Sequence, residues 1–275
     1  MSNATKQYIV GTSHGAIAVE ERGAAGIPLL LIHGNSSCRG VFRHQLHARR
    51  ADNRRIISFD LPGHGESSNA PDPAGTYTLP GLAASVMELL QRLSINEVIV
   101  LGWSLGGHIG IEMMSAFPGI RGLMIVGSPP VAPHNIAHGF TSSPQMSSAG
   151  RSTLSATEID AFVQKIFGTP VEPFLWDAVA RTDGRFRQRL FEAAREGAGV
   201  DQRLVVETSR TPLAVVNGGR DPVVKLDYFD QVAYANLWER QCHRIALAGH
   251  APYWDSPGEF NPILDRFLQD MEETA

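Results

Sequence analysis

The sequence predicts an α/β fold: a mostly parallel central sheet with helices on both faces, interrupted by a helical insertion. Two observations carry this. Short continuous apolar runs, the mark of strands buried on both faces, alternate with stretches of helical periodicity. That alternation stops between residues 129 and 210, where a loop is followed by helical patterns with no convincing strand.

The elements read in order as follows. Gln7 to Glu20, QYIVGTSHGAIAVE, forms two strands joined at Ser13-His14-Gly15. PLLLI (28–32) and RIISFD (55–60) are buried strands, with a helical pattern from Val41 to Arg50 between them. The second strand ends at LPGHGES, a loop rich in turn-forming residues. Leu79 to Leu93 is helical, Glu97 to Leu101 a strand, Gly106 to Ala116 a helix and Gly122 to Val126 a strand. Pro129 to Arg151 is rich in Pro, Ser, Gly and His and reads as loop, with Phe140 to Ser152 as an entrance loop. Helical patterns then fill Thr153 to Ser209. Strand signal returns with PLAVVNGG, then a helical stretch from Leu226 to Val232, the strand HRIALAG and a final helix from Glu259 to Met271. Residues 1–128 and 211–275 therefore form one core, with 129–210 inserted into it.

Composition narrows the function. With 275 residues, 43% hydrophobic and 19% charged, the chain can bury a sizeable core. A net charge of −4 gives no electrostatic case for a nucleic-acid partner or an anionic membrane, and the basic runs at His47–Arg50 and Arg54-Arg55 read as solvated faces. Cys38 and Cys242 lie far apart and make no disulfide framework, which favours a reducing compartment. The N-terminus MSNATKQYIV has no apolar signal segment, and no run approaches the ~20 apolar residues of a membrane span. A cytoplasmic protein is expected.

The chemistry is read from VLGWSLGGHIG. Gly102-Trp103-Ser104-Leu105-Gly106 is G-x-S-x-G between a strand and a helix, the setting of a nucleophile elbow. Its sharp bend exposes the Ser104 hydroxyl at a helix N-terminus. Trp103 either lines the pocket or packs beneath it, and His108, one helical turn on, reads as a helix-face or core histidine. A serine needs a base, and the base an orienting carboxylate. On this kind of elbow they follow in the order Ser, Asp or Glu, His. Of the ten histidines, His243 and His250 come after the returning strands. His243 opens HRIALAG, the wrong end of a parallel strand, whereas His250 follows that strand in AGHAPYWDSP and is the candidate base. Asp221 in VVNGGRDP is the candidate acid, with Asp227 and Asp255 as rivals. The oxyanion of an acyl-transfer intermediate needs fixed N–H donors, and the backbone amides of Leu105 and Asn35 are the candidates. His33 and His64 read as structural. No zinc motif, Walker A sequence or dinucleotide fingerprint occurs, so neither metal nor other cofactor is expected.

LLLIHGNSS, SFDLPGHGES, GWSLGGHIGIEM and AGHAPYW resemble the α/β-hydrolase superfamily across the core. HGNSS, GHIGIEMM, GLMIVGSPPVA, VARTDGR, AVVNGG and NLWE resemble its metal-independent N-acyl-homoserine lactone hydrolases. The resemblance implies an α/β-hydrolase fold with a helical cap (129–210) over the site, and a small-molecule lactone with an acyl tail as substrate. It also implies two departures. The subgroup's acid is a glutamate near the position of Asp221, and a cap tyrosine that meets substrate corresponds to Phe162. Phe162, Ile166, Phe167, Phe174, Leu175 and Trp176 could line an acyl-chain pocket or pack the cap on the core. The expected function is lactone opening by Ser104, His250 and Asp221. A carboxylesterase or C–C bond hydrolase with the same triad, and a ligand receptor on the same scaffold, are the alternatives.

Overall fold

The computed structural model describes residues 5–48, 54–132, 135–141 and 150–273. Eight strands form one sheet: β1 Lys6–Thr12, β2 Gly15–Arg22, β3 Ala25–Ile32, β4 Arg54–Phe59, β5 Val98–Trp103, β6 Ile120–Val126, β7 Leu213–Gly218 and β8 Leu237–Ile245. Their spatial order is β1-β2-β4-β3-β5-β6-β7-β8. The β1–β2 and β2–β4 pairs are antiparallel and all the others parallel. This is the α/β-hydrolase fold.

The longer helices are α1 Leu79–Arg92, α2 Leu105–Met114, α3 Ala156–Phe167, α4 Pro173–Arg181, α5 Gly184–Arg195, α6 Gln202–Thr208 and α7 Pro257–Glu273. One pair of neighbours in β6 shows how the layers stack. Successive strand residues point to opposite faces. Gly122 faces Met271 and Phe267 of α7, while Leu123 faces Gly110 of α2. Glycine at these two positions lets α7 and α2 sit close on the two sides of the sheet. The central strands VIVLGW (β5) and LAVVNG (β7) are buried along their whole length. That is why they read as unbroken apolar runs.

Helix boundaries follow local chemistry. The Thr78 hydroxyl caps α1 by accepting from the Gly81 amide at 3.0 Å. Ser155 and Glu158 form a reciprocal capping box at the start of α3. Among the described residues between β6 and β7 the chain contributes α3 to α6 and no strand of the sheet.

Three expectations need correction. The helical pattern from Val41 resolves into a 3-10 turn, Arg39–Phe42, and one α-helical turn, Arg43–Leu46; residues 49 and 50 fall outside the described residues. The 129–151 stretch is not all loop, since Ile136–Gly139 forms a helical turn and Phe140 makes an isolated bridge to Val224. The last strand runs from Leu237 to Ile245, so His243 sits near its end and pairs with Val216. LWERQC does not look like a buried strand because β8 is an edge strand, largely exposed in its middle, with positive φ at Glu239 and Arg240.

Candidate active site

The elbow forms where β5 runs straight into α2. Ser104 sits between them at φ 51° and ψ −115°, a strained conformation for a residue with a side chain. Its amide donates to the Val126 carbonyl at 2.7 Å, and the Ser128 hydroxyl donates to the Ser104 carbonyl at 2.7 Å. The flanking glycines are sterically required. A Cβ on Gly102 would lie 2.3 Å from the Gly106 carbonyl oxygen, and one on Gly106 only 2.0 Å from that of Ile32. The Ser104 hydroxyl makes no hydrogen bond to a described residue, and the serine lines a cavity.

His250 lies in the loop after β8. Its Nδ1 is 2.8 Å from Asp221 Oδ2, with both side chains almost completely buried. The other oxygen, Oδ1, accepts from the amides of Val223 at 2.7 Å and Val224 at 3.2 Å. Asp221 therefore has one oxygen anchored to its own loop and the other presented to the imidazole. With Nδ1–H donating to the carboxylate, Nε2 is the free lone pair of the ring. The loop is fixed at two further points: the Trp103 indole donates to the His250 carbonyl at 2.9 Å, and Gly249 donates to Asp255 Oδ2 at 2.8 Å. Asp255 thus braces the loop, and Asp227 lies in the turn of helix Leu226–Asp230. His243 points elsewhere, 3.1 Å from Glu239 and stacked on Trp238. It is set apart by those contacts and not, as expected, by lying at the start of its strand.

Asn35 and Leu105 line the same cavity as Ser104 and His250. Leu105 opens α2, so its amide is one of those a helix leaves without an intrahelical partner. The Asn35 loop is held by two buried histidines. His33 Nδ1 donates to the Gly34 carbonyl at 2.8 Å and its Nε2 accepts from Leu61 at 3.0 Å. His64 Nε2 accepts from the Ser36 amide at 3.3 Å, and its Nδ1 donates to Pro62 at 3.1 Å. Burial pushes both imidazoles below their ordinary pKa. Charge repulsion from His33 adds to the effect at His64. Neutral rings are the state in which these four hydrogen bonds can all form. Arg187 of α5 donates to the Ser36 hydroxyl at 3.3 Å, a link between residues 151 positions apart that no local pattern signals.

The cavity measures about 370 Å³ and is walled largely by apolar side chains. Phe162 and Ile166 of α3 and Leu190 of α5 face the core residues across it, and Trp103 also lines it. Of the other apolar candidates, Phe167 stacks on Trp103 and Phe174 on Trp254, while Leu175 is buried in the core cluster and Trp176 packs against that cluster. Phe140 and Thr141 reach the cavity, but residues 142–149 of the expected entrance loop fall outside the described residues. His108, read as a helix-face or core histidine, lines the cavity as well.

The profile of the alpha/beta hydrolase family matches residues 29–263. The fold superposes on a crystal structure of the N-acyl homoserine lactonase AidH complexed with N-butanoyl homoserine. The TM-score is 0.94 and the identity 45%, with 97% of each chain covered. The pimeloyl-[acyl-carrier protein] methyl ester esterase of Stenotrophomonas maltophilia strain K279a is 29% identical, over 88% of this chain and 93% of its own. A putative aryl esterase from Burkholderia cenocepacia, 22% identical, shares the fold with a TM-score of 0.80 across 97% of this chain and 99% of that one.

Proposed function

The chain belongs to the alpha/beta hydrolase family, and from that premise we propose that it is a serine hydrolase opening N-acyl-homoserine lactones. The observation that carries the catalytic part is the Asp221–His250 pair at 2.8 Å, with His250 and Ser104 lining one apolar cavity. The lactone class is supported by the 45% identity to a lactonase seen with an acyl-homoserine bound.

In this reading Ser104 Oγ attacks the ring carbonyl carbon as its proton passes to His250 Nε2. Asp221 orients the imidazole and stabilises the imidazolium. The amides of Asn35 and Leu105 hold the tetrahedral oxyanion, each donor contributing on the order of 10²–10³ in rate. The ring C–O bond then breaks and its oxygen takes the proton from His250, leaving an acyl-enzyme whose acyl group carries the freed alcohol. Water, deprotonated by His250, attacks that ester. Ser104 leaves with its proton restored, and the product is the N-acyl-homoserine: one lactone and one water consumed, one hydroxy acid formed. Residues 129–210 act as a cap, with Phe162 and Ile166 packing the acyl chain. Trp103 borders the substrate and also fixes the base loop.

The test is chromatographic detection of ring opening for N-hexanoyl-homoserine lactone beside hydrolysis of 4-nitrophenyl butyrate. The expected result is multiple turnovers on the lactone, lost in Ser104→Ala. Cleavage of the aryl ester with the lactone untouched would assign the site to a carboxylesterase instead. A single stoichiometric turnover would favour a receptor.

A further inference from the structure

His108 lines the cavity but takes no part in the steps above. It lies on α2 four residues after Ser104, about 6 Å along the helix axis. Its Nδ1 is 2.7 Å from Gln202 Oε1. The Gln202 amide nitrogen donates to the His108 carbonyl at 3.2 Å, and Glu112 draws a hydrogen bond from the same side chain. Those acceptors need the NH2 group, so the Gln202 oxygen is left as an acceptor. His108 Nδ1 must then carry the proton, and Nε2 is a lone pair.

That lone pair has no hydrogen-bond partner among the described residues, and it is not among the sealed, unpartnered buried atoms of the structure. It is therefore accessible, within a cavity whose other walls are largely apolar; the Phe140 ring is 5.9 Å from the imidazole, centre to centre. Burial lowers the His108 pKa, and a charged neighbour at His250 would lower it further, which keeps the ring a neutral acceptor. An acceptor in apolar surroundings is costly unless something donates to it. Gln202, itself buried, fixes which nitrogen is offered.

We propose that His108 Nε2 accepts a hydrogen bond from the substrate's amide N–H, so that the site selects lactones bearing an N–H donor beside the scissile carbonyl. The assignment rests on the lactonase reading. In an N-acyl-homoserine lactone the amide nitrogen is two bonds from the carbonyl carbon that Ser104 attacks. With Ser104 at the start of α2 and His108 one turn on, both lining the cavity, that N–H is the substrate donor we assign to the imidazole. His108 would then read the amide N–H, a donor that plain lactones and simple esters lack.

The experiment measures ring opening, by mass spectrometry, of N-hexanoyl-homoserine lactone and of the analogue in which ester oxygen replaces the amide N–H. The natural enzyme should prefer the amide roughly tenfold in kcat/KM, the effect of one hydrogen bond. In His108→Phe the ratio should fall close to one, and His108→Gln, which keeps an acceptor, should restore part of it. Gln202→Leu leaves the imidazole in place but frees its proton to move to Nε2, and should lower the same ratio. A ratio unchanged from the natural enzyme in His108→Phe and Gln202→Leu overturns the assignment. If the natural enzyme opens neither lactone yet cleaves 4-nitrophenyl butyrate, the lactonase reading falls and the assignment with it. If it opens both lactones equally, only the role of His108 falls.

Discussion

The two walls of the cavity are held by different kinds of constraint. The core wall, carrying Ser104, His250, Asp221 and the Asn35 loop, is fixed at the level of backbone. Glycines abut carbonyl oxygens at 2.0–2.3 Å from a virtual Cβ, and buried histidines and a buried carboxylate bind main-chain amides. The helical wall, α3 to α6, is tied down by side chains that reach across, beside main-chain bonds such as the Asp183 amide to the Gly63 carbonyl at 2.9 Å. Tyr77 donates to Asp183 at 2.9 Å, Arg181 to the Ser67 carbonyl at 2.7 Å and Arg187 to Ser36. Arg43 pairs with Glu172 at 2.6 Å while lying 4.4 Å over the Trp254 ring. Backbone constraints admit almost no substitution, whereas side-chain anchors leave the intervening lining positions open to change. In the proposed mechanism the reacting groups and His108 stand on the intolerant wall, and the contacts to the acyl tail on the tolerant one.

Mutation at the reacting atoms gives the largest contrast. Ser104→Ala should lower kcat/KM by on the order of 10⁵ or more, and Asp221→Asn by about 10⁴, with the thermal midpoint little changed. Retention of more than a tenth of the activity by either variant would remove that residue from the mechanism. Next come the glycines. Gly106→Ala should destabilise by about 3 kcal/mol or more, because its Cβ would strike the Ile32 carbonyl. Gly168 ends α3 at φ 75° and ψ −162° with open space around it, so alanine there meets backbone strain alone and should cost less, about 2 kcal/mol. Urea titrations of the two variants measure the difference, and equal losses would erase the contrast between the walls.

Acid should loosen the core wall first. His33 and His64 are held below the ordinary imidazole pKa of about 6.5, mainly by burial. The unfolded chain therefore binds protons that the folded one refuses. Their contribution to stability is complete above pH 6.5 and declines as pH falls from 6.5 towards the folded-state values. The slope reaches up to about 1.4 kcal/mol per pH unit for each histidine. Denaturant midpoints at pH 7.5, 6.5 and 5.5 should fall, and fall less in His64→Gln. A pH-independent midpoint in that range would contradict the neutral pair. The smallest effect belongs to the helical wall. Phe162→Ala should lower kcat/KM about fivefold for long acyl chains and less for short ones, by loss of apolar contact. A loss independent of chain length would place Phe162 away from the acyl tail.

Much of the core wall was legible because its signals are local. G-x-S-x-G between an apolar run and a helix pattern, and Asp221 and His250 each just past a strand, can be read from short windows of sequence. The edge strand β8 was harder: its exposed middle carries charge, so the apolar run marks only its end. The helical wall was legible as helices but not as a lining. Periodicity identifies the buried face of α3 without saying what lies opposite. Phe162 and Ile166 meet the cavity, while Phe167 meets Trp103. The cross-links were beyond local reading altogether. Trp103 to His250, Gln202 to His108 and Arg187 to Ser36 join residues 147, 94 and 151 positions apart.

Identifying the residue labelled by a fluorophosphonate tests the central claim most directly, by peptide mass spectrometry of the natural enzyme and of His250→Ala. One adduct per chain on the Ser104 peptide, abolishing activity and forming far more slowly in His250→Ala, is the predicted result. Inactivation with Ser104 unmodified, or labelling at the same rate without the imidazole, would contradict it.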